Sequence, residues 1–300
     1  MGDYHVHLHP HVPRPDSPPP GVYPKAHVDA YVEAALSRGA DEVGFTEHLH
    51  RFVDFEPALA GFWDTGDHRD LVEHSRRYYY HDLNLHLDRY VEAVQGARDR
   101  GLPVLLGLEV DFFPAHVDKV VEVLLGYPFD YLIGSVHWIG AWSVDHPDVA
   151  YEFARRGVRR SYEDYFGLVA ELAESGVVQV LAHPDVVKKF GHRCDDEPID
   201  LYRRVVDAAR RGGVALEVSS AGLRYEAAEP YPAPTLLRMG CEAGVPITLA
   251  SDAHYPELAA ERHGLLVRYA RSAGYRHRLK FGVGGAATLV ALPDPDGEET

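Results

Sequence analysis

Seven short runs of apolar, β-branched residues recur along the chain with helical patterns between most of them. No other feature limits the available folds as strongly. The runs are YHVHL (4–8), EVGFT (42–46), PVLLGLEV (103–110), DYLIGSVH (130–137), VVQVLAH (177–183), GVALEVS (213–219) and VPITLAS (245–251). The intervening helical patterns stop on glycine, at Gly39, Gly101, Gly176, Gly212 and Gly244. Glycine just past the last helical residue is the usual C-terminal stop. Near-continuous apolar strands that alternate with helices build a parallel sheet covered on its outer face. Seven such units predict an α/β fold, a closed or nearly closed (β/α) barrel with one unit fewer than the common eight-fold form.

Two stretches break the rhythm. Residues 50–82 are rich in aromatics and residues 138–160 separate a strand from its helix, so both are expected as strand-to-helix insertions of the kind that form lids. Residues 14–24 form a proline-rich connection, and 293–300 read as a disordered tail after one catalytic domain over 1–292.

Composition narrows the function. With 46 acidic against 30 basic residues, the net charge of −16 argues against general affinity for nucleic acid or anionic lipid. Two cysteines, Cys194 and Cys241, cannot make a disulfide framework, so a reducing cytoplasm is expected. The N-terminus lacks the pattern of a signal peptide, and no apolar run reaches the length of a membrane span. Histidine is the anomaly: there are 19, with His5, His7, His9 and His11 all near the start.

In a barrel enzyme, residues at the C-terminal ends of the strands converge on one pocket. Here those ends carry His5 and His7, then Glu47 and His48, Glu109, His137, His183, and finally Asp252 and His254. The sixth strand carries Glu217, with Arg224 just beyond. Any one of them could be a structural histidine, a surface charge or a helix cap. All of them at the same end of their strands is not an accident. Residues i and i+2 of a strand face one way, so His5 and His7 can grip one metal, and Asp252 and His254 share that relation. Imidazoles with carboxylates and no thiolate suit Zn²⁺, Mn²⁺ or Fe²⁺. The ligands exceed one ion's needs, so two or three metals are expected with one carboxylate bridging them.

The ordered motifs HVH (5–7), TEH (46–48), LEVD (108–111), SVHW (135–138), LAHPD (181–185) and SDAH (251–254) resemble the PHP superfamily, the polymerase and histidinol phosphatase group. The stretch SSAGLR…EPYPAP (219–234) is similar to its histidinol-phosphate phosphatase branch. The resemblance implies a distorted (β/α)7 barrel with a trinuclear centre. His5, His7, Glu109 and Asp252 would hold the first metal. Glu109 would bridge to the second, completed by His137 and His183. The third would take His48, His254 and a further residue soon after the HVH pair. His11 is the choice there, because it leaves room for the chain to turn back; His9 could face the pocket without binding, and His27 reads as a cap or surface residue.

The reaction implied is hydrolysis of a small phosphomonoester, L-histidinol phosphate to L-histidinol and phosphate, by a hydroxide shared between two metals. Arg224 is the candidate phosphate grip and Lys188 a secondary one, with Lys189 beside it. Asp111, two residues past Glu109, would either receive the substrate's ammonium group or protonate the leaving alkoxide. Asp111, Arg224 and His254 are thus the expected catalytic residues beyond simple metal ligation. The competing readings are a related phosphoesterase acting on another phosphomonoester or on nucleotides, and an amidohydrolase. The latter family typically places a carbamylated lysine where Glu109 stands.

Overall fold

The computed structural model describes residues 1–293; apart from Pro293, the tail expected at 293–300 lies outside the described residues. Strands β1 (Gly2–Val6), β2 (Glu42–Phe45), β3 (Val104–Asp111), β4 (Tyr131–Ser135), β5 (Val180–Leu181), β6 (Ala215–Ser219) and β7 (Ile247–Ala250) lie side by side in chain order, each pair parallel. The ring joins just past the last strand, where Val6 and Ala253 form a parallel bridge. There His7 N–H donates to the Ala253 carbonyl at 2.7 Å. The result is a distorted (β/α)7 barrel.

The helices of eight residues or more are α1 (Lys25–Ser37), α2 (Arg69–Asp82), α3 (Leu87–Asp99), α4 (Val117–Leu124), α5 (Val158–Glu174), α6 (Ile199–Gly212), α7 (Pro234–Glu242) and α8 (His263–Ser272). Helix α6 shows why these segments are helical. It buries Leu201, Tyr202, Val205, Val206, Ala208 and Ala209, one stripe at helical spacing. Each such large apolar side chain contributes about 1.5–3 kcal/mol when fully buried. Arg210 and Arg211 complement the dipole in the last turn, and Gly213, in the left-handed region at φ 67, ends the helix one residue later than Gly212.

The lower end of the barrel is sealed. Tyr4, Leu105, Tyr131, Ile133, Val180, Ala215 and Phe281 form a cluster separate from the main core. The Tyr131 ring fits because Gly44 has no side chain; a Cβ there would lie 1.9 Å from its hydroxyl. Phe281 comes from an antiparallel hairpin, β8 (His277–Phe281) with β9 (Ala287–Ala291), that follows the barrel and was not expected from the strand pattern. Its ring stacks on Tyr131 at 4.7 Å and meets Tyr4 edge-on at 5.3 Å. With that end plugged, the barrel of the described residues opens at the C-terminal ends of its strands.

The two insertions are one packed wall rather than loose lids. Residues 50–82 contain helix α2, and Trp138–Ile139 pairs with Trp142–Ser143 in a small hairpin. The Trp138 indole donates to Ser75 Oγ at 3.1 Å, whose hydroxyl donates to the Ala141 carbonyl at 2.6 Å. Phe62 packs on Phe113 at 4.2 Å and Tyr78 stacks on Trp138 at 5.7 Å. This wall stands beside the open end and places Tyr78, Asp82, Asp145 and His146 there.

Candidate metal centre

Strand β1 needs an irregularity to present its histidines. Its register pairs Asp3 with Val43 but Val6 with Phe45, so β1 carries one residue more than β2 between those points. A bulge of this kind re-aims side chains. Tyr4 therefore joins the lower cluster while His5, the next residue, reaches Glu109 and Glu217 above. Two other site residues hold left-handed backbone without being glycine, His183 at φ 25 and Asp252 at φ 52. Such conformations cost about 1–3 kcal/mol each and persist where the surroundings over-determine them.

Three sets of ligand atoms converge. Nε2 of His5 and Nε2 of His7 are 2.9 Å apart. Glu109 Oε2 lies 3.4 Å and 3.6 Å from them, and Asp252 Oδ1 lies 3.7 Å and 3.5 Å away. On its other oxygen, Glu109 Oε1 faces His183 Nε2 at 3.0 Å and His137 Nε2 at 3.6 Å. The third set is all imidazole: His48 Nε2 is 2.9 Å from His11 Nε2 and 3.4 Å from His254 Nε2. Two ligand atoms on one cation at 2.0–2.1 Å lie about 2.9–3.4 Å apart, so these spacings suit shared ions. Glu109 Oε2 and His48 Nδ1 approach to 2.6 Å, yet both atoms are buried without a hydrogen bond. Buried polar atoms so placed call for another partner. The donor set, nitrogen and carboxylate oxygen without sulfur, fits Zn²⁺, Mn²⁺ or Fe²⁺.

The electrostatics agree with an ion-binding cluster. Burial would push the Glu109 carboxyl up, but the His48, His5 and His137 imidazoles hold it well below the usual carboxylate range. Asp252 is likewise held low against burial by His5, His7 and His254. His48 and His254 are driven well below the usual imidazole range by burial and by His7, so they stay neutral and keep lone pairs for a cation.

Three of the ligand candidates, His5, His11 and His137, have an outer carboxylate partner, and sequence reasoning passed over most of these. Glu217 Oε2 accepts from His5 Nδ1 at 2.8 Å while its Oε1 accepts the His183 backbone N–H at 3.1 Å. Asp82 Oδ2 accepts from His11 Nδ1 at 2.9 Å. Asp111 Oδ1 accepts from His137 Nδ1 at 2.7 Å, and Oδ2 from His50 Nδ1 at 2.7 Å. Carboxylates on the far nitrogen fix the tautomer that offers the near one to a metal. The available signal was Glu217 itself, a charge inside the apolar run ALEVS, two residues from the inward Ala215. Asp82 and His50 lay in the aromatic insertion and carried no comparable mark.

The remaining expected residues divide. Asp111, expected to face substrate, is instead 1% exposed with both oxygens occupied by histidines, because β3 carries it beyond Glu109 into the gap between His50 and His137. Lys188, expected as a secondary phosphate partner, is 1% exposed and committed to Asp185 and Glu229, both at 2.7 Å. The tight turn Val186–Lys188 sends its neighbour Lys189, not Lys188, to the open cavity. Arg224 does line that cavity, with one amino group donating to the carbonyls of Ser251 (3.0 Å) and Asp252 (2.8 Å). His9 turns away, its Nε2–H donating to the Pro19 carbonyl at 3.1 Å, and His27 donates to the Leu8 carbonyl at 2.8 Å. His11 joins the cluster. The cavity above it measures about 550 Å³, room for a small metabolite.

Comparison with known proteins places this geometry. The PHP domain model matches residues 21–221. A "probable histidinol-phosphatase" of Deinococcus radiodurans is 36% identical over 257 residues, spanning 83% of this chain and 90% of the relative. The histidinol-phosphatase of Bacillus subtilis is 25% identical over 245 residues, 75% of this chain and 85% of its own. The crystal structure of histidinol phosphate phosphatase from Lactococcus lactis subsp. lactis, complexed with zinc, L-histidinol and phosphate, superposes with a TM-score of 0.68. It is 20% identical, covers 95% of this chain and 97% of its own, and shares the fold. A barrel with this motif order, the family match over two thirds of its length and a relative of this identity lead to one conclusion: the chain belongs to the PHP domain family.

Proposed function

We propose that the protein is a metal-dependent phosphomonoester hydrolase that converts L-histidinol phosphate to L-histidinol and phosphate. The observation that carries this is Glu109, whose two oxygens face two different sets of imidazoles in a single buried cluster. In this reading His5, His7, Glu109 and Asp252 hold one cation, Glu109, His137 and His183 a second, and His11, His48 and His254 a third. When bound, divalent cations supply Lewis-acid polarisation of the phosphoryl oxygens and acidify the attacking water. The curated relatives' names and the zinc, L-histidinol and phosphate of the Lactococcus structure support the same substrate and metal.

The chain's own residues orient the ester. Arg224 is held before substrate arrives by the Ser251 and Asp252 carbonyls, so its fork reaches a phosphoryl oxygen with little reorganisation. Glu261 at 3.3 Å offsets part of its charge. The wall of Tyr78 and His146, with rings 4.9 Å apart, excludes water on the side where an imidazole ring would lie. Among the described residues no helix is long and apolar enough to cross a membrane.

The test is phosphate release by the zinc-loaded protein. L-histidinol phosphate should exceed a panel of other phosphomonoesters and nucleotides by at least about 100-fold in kcat/KM, because polar recognition in a closed pocket discriminates strongly. Equal rates across the panel would reject the substrate and leave a general phosphoesterase. Activity on amides alone would reject the reaction class.

A further inference from the structure

We propose that Asp145 is the receptor for a substrate ammonium group, which makes the pocket selective for phosphomonoesters bearing an amine beside the ester carbon. The inference rests on the phosphomonoesterase reading above. Three carboxylates line the cavity, Asp82, Asp145 and Asp252. Asp82 is spent on both oxygens, with Oδ2 accepting from His11 Nδ1 at 2.9 Å and Oδ1 from His81 Nδ1 at 2.8 Å. Asp252 is turned into the imidazole cluster, within 3.7 Å of His5, His7 and His254. Asp145 is the one of the three that stands apart from the imidazole cluster and keeps an oxygen for a ligand. Its Oδ2 accepts from Lys189 Nζ at 3.0 Å, Oδ1 bonds no group among the described residues, and the side chain is 23% exposed.

The surroundings suit a zwitterion. Lys189 Nζ sits 4.7 Å above the Tyr225 ring and 3.0 Å from Asp145 Oδ2, and the pair lines the same cavity as His137 and His183. The ion pair thus presents a positive end and a negative end to one cavity. A substrate whose phosphoryl group is drawn to the floor carries its amine a short reach above it, on the carbon next to the ester. An ammonium there meets Asp145 Oδ1 in a charge-assisted hydrogen bond. An ester without the amine would leave that carboxylate oxygen desolvated and unpaired, which is the penalty that produces discrimination. Lys189 is a positioning residue in this scheme, holding Asp145 in place through its other oxygen. Each partner keeps the other charged against burial: Asp145 is held low by Lys189, and Lys189 is raised above the usual ammonium range by Asp145.

The experiment compares L-histidinol phosphate with imidazolylpropyl phosphate, the same ester without its amine, on zinc-loaded enzyme. The parent should prefer the amine ester by about 10- to 100-fold in kcat/KM, the range of a hydrogen bond to a charged group. In Asp145→Asn the preference should fall to within about threefold. Lys189→Met should erode it through KM for the amine ester, and Lys189→Arg should restore it. Both esters are read on one preparation, so a loss of folded enzyme cancels in the ratio. If Asp145→Asn turns over neither, calorimetry of L-histidinol against imidazolylpropanol on the same zinc-loaded variant reads the same preference. A preference undiminished in Asp145→Asn, with an active parent, overturns the role of Asp145 alone. A parent that hydrolyses neither ester overturns the phosphatase reading and this one with it.

Discussion

Replacing Glu217 with glutamine removes one acceptor from a place that uses two. In the parent, Oε2 takes the proton of His5 Nδ1 at 2.8 Å and Oε1 takes the His183 backbone N–H at 3.1 Å. A carboxylate can accept both, whereas an amide has one oxygen and one NH₂. If the amide oxygen stays on His5, the NH₂ faces the His183 N–H, donor against donor. If it turns to His183, the NH₂ faces His5 Nδ1 and drives the ring to the tautomer that protonates Nε2. That nitrogen is the one beside His7 and Glu109, and a protonated Nε2 cannot ligate a metal. Either arrangement leaves a buried donor unsatisfied, at about 1–3 kcal/mol. Loss of an outer partner of this kind typically weakens metal affinity 10–100-fold, or about 1.4–2.8 kcal/mol.

Two assays read these terms separately. Urea unfolding of the metal-free Glu217→Gln protein should show a loss of about 1–3 kcal/mol relative to parent. Zinc titration against a competing chelator should show the tightest site weakened by at least tenfold. Glu217 is 1% exposed and lines no part of the cavity, so substrate contact cannot account for either result. Zinc affinity within about twofold of parent would refute the reasoning, since a loss smaller than the outer-partner range means the His5 tautomer does not depend on Glu217.

Other substitutions probe the remaining assignments. His11→Ala should lose one zinc equivalent by elemental analysis after chelator washing, while His9→Ala, bonded to the Pro19 carbonyl instead, should keep the full complement; equal losses would refute the choice between them. His137→Ala and Asp252→Ala should each lose bound metal and phosphate release together with an unchanged circular dichroism spectrum, and surviving activity would mean the site is elsewhere. Lys188→Met leaves the buried Asp185 without its cation, while Glu229 keeps Arg193 at 2.9 Å, and should cost about 3–5 kcal/mol in urea unfolding, with metal content unchanged. A near-neutral Lys188→Met would show that those carboxylates are solvated or protonated in the folded state.

What was legible in the chain was whatever repeats locally. Apolar runs between glycine-ended helical patterns carry the barrel, and a polar residue at each run's end carries the ligand set, because strand direction alone decides which end faces the pocket. The i, i+2 rule works for His5 and His7, where both side chains need only share a face. The same rule misleads at Glu109 and Asp111. They do share a face, but two residues further along β3 is another level of the barrel, and the neighbours there are His50 and His137. Lys188 and Lys189 are adjacent and chemically alike, and only the turn after β5 separates a structural cation from a cavity one. Nothing local could pair His5 with Glu217, 212 residues away, or His11 with Asp82, 71 away. These outer carboxylates decide which nitrogen each imidazole turns to the centre. A sequence can therefore announce that a barrel holds ligands while leaving unsaid which of them are poised to bind. Glu217→Gln tests that poise most directly, since it changes no ligand atom.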